Sequence, residues 1–247
     1  MSAHPAGAAA APSGTPAEWP LTGRILGMLV RPRLTLASAR VNPRWGVLLL
    51  VLTVLAAAAG AVVFSTEVGR QALVDQWERT AFAFGRPLDE DGYRQLLEWS
   101  EHAWLYGVAN AVLGVAGLTI AAAAVIVAVL GRPPEGRFRH VLAVAAHAAV
   151  ILGVRHVVAA PLIYLRETTT SATTLVTWFP LFDESSPAAR LLGTIDLFVI
   201  WWVMALAYGV SMVYDRPFGR TAAALLGAYA ALALALVAAM ALAGGTA

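Results

Sequence analysis

The chain is 247 residues long, 59% of them hydrophobic and only 13% charged, about half the charge of an ordinary soluble domain, so water is not its main solvent. Cysteine is absent, which excludes a disulfide framework, a thiolate zinc site and a cysteine nucleophile. Net charge is only +2 and all 17 basic residues are arginine, so the pI near 9.3 reads as membrane-side asymmetry and makes no case for nucleic acid as a partner.

Residues 1–20 are rich in Ala, Pro, Ser and Gly and carry one charge, Glu18. Such a stretch buries too little to offset its ordering entropy, and a disordered tail is expected. It does not read as a signal peptide, because the first arginine is Arg24 and the first long apolar run starts at Trp45. Residues 21–44 set Leu21, Ile25, Leu26, Leu29 and Val30 among Arg24, Arg31, Arg33, Arg40 and Arg44. This predicts a short amphipathic segment, broken at Pro32, lying on the cytoplasmic face of the membrane.

A membrane domain is expected over residues 45–243. Five apolar runs, 45–65, 103–130, 141–165, 191–213 and 221–243, each hold about the 20 residues a helix needs to cross the hydrocarbon. The predicted fold class is therefore all-α, a polytopic membrane protein built as a five-transmembrane-helix bundle with the amphipathic N-terminal segment. Residues 66–102 hold two helix-like stretches around Gly85, Arg86 and Pro87, whose apolar spacing suits helices against the outer leaflet. Trp45, Trp77, Trp99, Trp104 and Trp178 fall near span ends, as interfacial aromatics do.

Arginine sets the orientation. Ten lie in the N-terminal segment and the short loops 131–140 and 214–220, against six in loops 66–102 and 166–190, the first of which is strongly acidic. The positive-inside rule then predicts a multi-pass protein of the cell membrane with its N-terminus cytoplasmic and its C-terminus outside.

The third and fourth spans carry the ionisable groups. Arg155 and Asp196 are each costly in hydrocarbon, by at least ~2.5 kcal/mol on insertion scales, so such groups are paired, turned inward or functional. Counting helix rise places Arg155 roughly 15 Å and Asp196 roughly 7 Å below the outer ends of their spans, and a snorkelling arginine covers the difference. An intramembrane pair is predicted, with an interhelical clamp as its simplest role. His147 and His156 are possible polar neighbours. His140 and His147 share a helical face, but His156 points about 160° away from His140, so no metal site is expected. Glu98 and His102, beside Glu101, read as solvated loop charges.

No glycine-rich phosphate loop, nucleophile elbow or His-Glu-x-x-His pair occurs, so no catalytic residue and no cofactor is assigned. The fifth span repeats a small residue at every fourth position, Gly227, Ala231, Ala235, Ala239 and Ala243, a stripe that lets another helix approach.

The order of these features resembles the Yip1 domain family in its bacterial branch. The resemblance rests on Leu29-Val30-Arg31-Pro32 with Thr35 and Leu36, on Asn42-Pro43-Arg44 before the first span, and on Phe138-Arg139 opening the third. In the fourth it rests on the stretch from Thr194 to Trp201 and on Gly209-Val210-Ser211, where the family tends to carry a Gly-x-Ser-like turn. It implies an all-α five-span domain with a cytoplasmic N-terminus. Eukaryotic relatives are associated with vesicle traffic and Rab-type GTPases, a role with no matching contact motif here. The functional expectation is a non-catalytic membrane scaffold, in contact with the lipid bilayer and with a membrane protein partner or further copies of itself. The alternative is a small transporter or channel with a polar site between spans three and four.

Overall fold

The computed structural model describes residues 19–134, 138–170, 173–178 and 187–244. The expected disordered tail lies almost wholly outside them. Among the described residues regular structure is helical, apart from a single antiparallel bridge between Thr174 and Asp196. Four helical stretches are long and apolar enough to cross a membrane: Gly46–Phe64, Ala103–Leu130, Phe138–Arg166 and Phe218–Leu242.

The N-terminal segment forms two helices, α1 (Leu21–Val30) and α2 (Pro32–Val41), with Pro32 in the first turn of the second, where its missing N–H is not needed. One face of the pair turns into the protein: Met28, Thr35, Leu36, Ser38 and Ala39 are buried. The opposite side leaves Leu26, Val30, Leu34 and Val41 exposed.

The first crossing is α3 (Gly46–Phe64), followed by α4 (Glu67–Ala83) and α5 (Glu90–Ser100). Thr66 and Asp89 cap these two loop helices by accepting the N–H of Gly69 and Gly92, and each is followed by an acidic residue that suits the helix dipole. The second crossing comprises α6 (Ala103–Ala111), one wide π-helical turn at Val112–Gly117, and α7 (Leu118–Leu130). Helices α3 and α6 cross on two glycines: a Cβ on Gly107 would sit 2.5 Å from the carbonyl oxygen of Gly60, and one on Gly60 would sit 2.8 Å from that of Gly107. Only backbone fits there.

The third crossing, α8 (Phe138–Ala148) and α9 (Val150–Arg166), is the axis of the bundle. Every residue from Val141 to Leu152 is buried, and the small side chains of this run let α2, α3, α7 and α11 close around it.

The run expected as a single fourth span, 191–213, is instead two helices. Helix α10 (Pro187–Thr194) ends, the chain extends through Ile195 and Asp196, and α11 (Leu197–Val213) begins. At 17 residues α11 covers about 25 Å, less than a full hydrocarbon thickness. The Gly-x-Ser-like turn expected at 209–211 is also absent: these residues are regular helix inside α11. Gly209 serves packing, since a Cβ there would meet Val144 at 2.0 Å and Leu36 at 3.4 Å, the point where α2, α8 and α11 converge.

The last helix, α12 (Phe218–Gly244), touches α11, α10 and α4 and is the least buried of the four long stretches.

Candidate functional site

Asp196 stops the fourth run from being one helix. Its backbone is extended, and its side chain accepts the N–H of Phe198 at 2.8 Å and of Val199 at 3.4 Å, the N-cap that starts α11. Both capping bonds fall on Oδ1. The other oxygen, Oδ2, accepts from Arg155 Nε of α9 and from the Thr173 hydroxyl, each at 2.8 Å. Four donors thus surround a carboxylate whose residue is only 4% exposed, and every lone-pair site has a partner.

The break is held on both lips by α12. Tyr229 donates its hydroxyl proton to the Thr194 carbonyl at 2.9 Å, and the same oxygen accepts the Asp196 N–H at 3.1 Å. Loop residues complete the frame, with Leu175 N–H donating to the Ile195 carbonyl and Leu197 N–H to the Thr173 carbonyl. Thr173 and Tyr229 belong to the site although nothing in their sequence context marks them. Both are ordinary polar residues, 23 and 33 positions from Asp196.

His156 lies next to Arg155 but stays out of the ion pair. Its Nδ1 is 2.9 Å from the Leu152 carbonyl, and its ring edge rests against Gly114 in the wide turn of the second crossing. His147 is elsewhere: eight residues before Arg155 on the axis, about 12 Å along it, fully buried and bonded through Nδ1 to the Ala143 carbonyl at 2.7 Å. Among the described residues no group of three His, Asp or Glu side chains converges as a metal would require.

Beside the pair is a cavity of about 230 Å³ between α3, α4, α6 and α9, lined by Arg155 and His156 and reaching the loop residues Thr169, Thr170 and Thr173.

These elements run from α1 to α12, and the family model of the Yip1 domain matches residues 26–240, nearly the same stretch. The chain belongs to the Yip1 domain family. The family resemblance read from the short motifs is thereby borne out. No curated protein and no solved structure matches the chain. As a Yip1 domain with four apolar helical stretches of crossing length, it is a multi-pass integral membrane protein. The Asp196 cap, its arginine and its tyrosine clip all lie within the matched Yip1 region.

Proposed function

We propose that this Yip1 domain is a non-catalytic membrane scaffold of the bacterial inner membrane, acting through contacts of its outer helices with another membrane helix. The observation that carries the reading is α12. Its contacts to the protein run along one side, through Ala222, Tyr229 and Ala233, while Gly227, Ala231, Ala235 and Ala239 are uncovered. A Cβ added at Gly227 would meet nothing within 4 Å. In a bilayer such a small-residue face is where a second helix approaches closely.

In this reading the chain crosses five times, with α10 and α11 together making the fourth passage, the N-terminus in the cytoplasm and the C-terminus outside. Support comes from the arginine-rich end. Arg40 of α2 lies 3.7 Å from Asp215, Tyr214 donates its hydroxyl to the Gly131 carbonyl, and Arg33 stacks over the Tyr208 ring. These contacts gather the N-terminal segment and both short basic loops at one end, opposite the acidic helices α4 and α5.

A transporter using Arg155 and His156 would need its polar path to continue through the bundle. Below the cavity the axis is closed by Leu52, Val115, Ile151 and Leu152, all buried, which favours the scaffold. The test is accessibility: with cysteines at Ala159 and at Ala148, a water-borne thiol reagent applied from each side should reach the first from one side only and the second from neither. Labelling of both positions from both sides would favour transport.

A further inference from the structure

The cavity beside Arg155 has the chemistry of a binding site. Arg155 meets Asp196 through Nε alone, and among the described residues no other bond engages its guanidinium. Its side chain is 31% exposed where that of Asp196 is 5% exposed. The carboxylate is spent on four donors behind the cavity wall, so the two terminal amino groups of Arg155 are the charged function available in front of it. No described residue lining the cavity is acidic. Among the other polar lining groups, His156, Thr169 and Thr173 direct a hydrogen bond to the Leu152 carbonyl, the Ala72 carbonyl and Asp196, while the Tyr106 hydroxyl, the Asn110 and Gln76 amides and the Thr170 hydroxyl are neutral and able to donate. Phe64, Ala160 and Ile163 supply an apolar wall next to them.

One exposed guanidinium face, four neutral donors and no competing carboxylate form a receptor for an oxyanion, because planar paired N–H groups match carboxylate and phosphate oxygens. A volume of about 230 Å³ is enough for a phosphate or a small headgroup. Loop residues Thr169 and Thr170 line the mouth, and Arg155 lies about 16 Å below Arg166, the end of its helix. The site is therefore recessed in a part of the protein where a negatively charged group has few other partners.

We infer that this cavity binds a phosphate oxyanion on the free amino groups of Arg155, supplied by an anionic lipid headgroup or by free phosphate. The inference is independent of the scaffold reading.

The test is thermal melting of the full chain in a neutral maltoside detergent, titrated separately with phosphatidylglycerol, diacylglycerol and inorganic phosphate. A saturable rise on the order of 5 °C at about 100-fold over Kd is expected from an oxyanion probe and none from diacylglycerol. A rise with phosphatidylglycerol alone assigns the lipid as the source, and a rise with inorganic phosphate assigns the free ion. Ala159→Phe, which fills the cavity and leaves the ion pair in place, should abolish the rise. If that variant does not fold, Asn110→Leu, at an exposed position of α6, should weaken apparent binding at least about threefold. No rise with either oxyanion probe, an equal rise with diacylglycerol, or a rise unchanged in a folded Ala159→Phe or Asn110→Leu variant would overturn the site.

Discussion

The backbone N–H of Asp196 donates to the phenolic oxygen of Tyr229 at 3.1 Å, and the Tyr229 hydroxyl in turn donates to the Thr194 carbonyl at 2.9 Å. One side chain of the outermost helix thus satisfies a donor and an acceptor that the helix break leaves without intrahelical partners. In a hydrocarbon surrounding, unsatisfied backbone groups cost several kcal/mol each, so a break of this kind depends on such a partner.

Tyr229→Phe removes both bonds and keeps the ring. It is expected to lower stability by about 1–3 kcal/mol, read as an earlier melting transition with the helical content of the folded state unchanged. An unchanged transition would show that water or lipid satisfies the break equally well.

The double duty of Asp196 sets the outcome at that position. Asp196→Ala loses the cap and strands Arg155, whereas Asp196→Asn keeps a good N-cap through its one carbonyl oxygen and puts an amide donor where Oδ2 accepted from Arg155 and Thr173. The alanine variant should therefore be the less stable by about 1 kcal/mol, both falling below the parent protein. Exchanging the two residues, Arg155→Asp with Asp196→Arg, should fail to restore stability, because an arginine cannot accept the N–H groups of Phe198 and Val199. Recovery by the exchanged pair, measured by denaturation in detergent, would reduce Asp196 to a simple charge partner.

Gly107→Ala should destabilise by about 1–3 kcal/mol, since its Cβ would press on the Gly60 carbonyl at 2.5 Å and force α3 and α6 apart. Gly227→Ala, in open space on α12, should be neutral or stabilising by up to about 1 kcal/mol through helix propensity. Melting of the two variants side by side checks the sign, and equal effects would contradict the close crossing.

Much of this was legible from the residues, and the rest for physical reasons was not. Apolar length is a property of composition, so the stretches realised as Gly46–Phe64, Ala103–Leu130 and Phe218–Leu242 stand out without tertiary knowledge. The charges of Arg155 and Asp196 stand out because hydrocarbon makes them costly. The cap signal was present too, in an Asp directly before an apolar run, but the apolar residues on both sides of it make 191–213 read as continuous. Tyr229, Thr173 and the Gly60 and Gly107 crossing carry no local mark, because what makes each matter is a partner distant in sequence. His147 and His156, nine positions apart, looked like neighbours of one polar cluster, yet helix rise keeps His147 in the apolar axis.

Orientation can be read directly in a chain that has no cysteine of its own. With single cysteines at Glu98 and at Pro134, an impermeant maleimide added to intact spheroplasts should label the first and reach the second only after lysis. The reverse pattern would invert the topology.

The scaffold account stands or falls on whether the bare face of α12 meets another helix. Site-directed photo-cross-linking in native membranes should give one discrete adduct, with a second copy or a single defined membrane protein, from Ala231 and Ala235. It should give none from Ala230, which is exposed on a different side of the same helix. Cross-linking to lipid alone from all three positions, or equal protein adducts from all three, would contradict it.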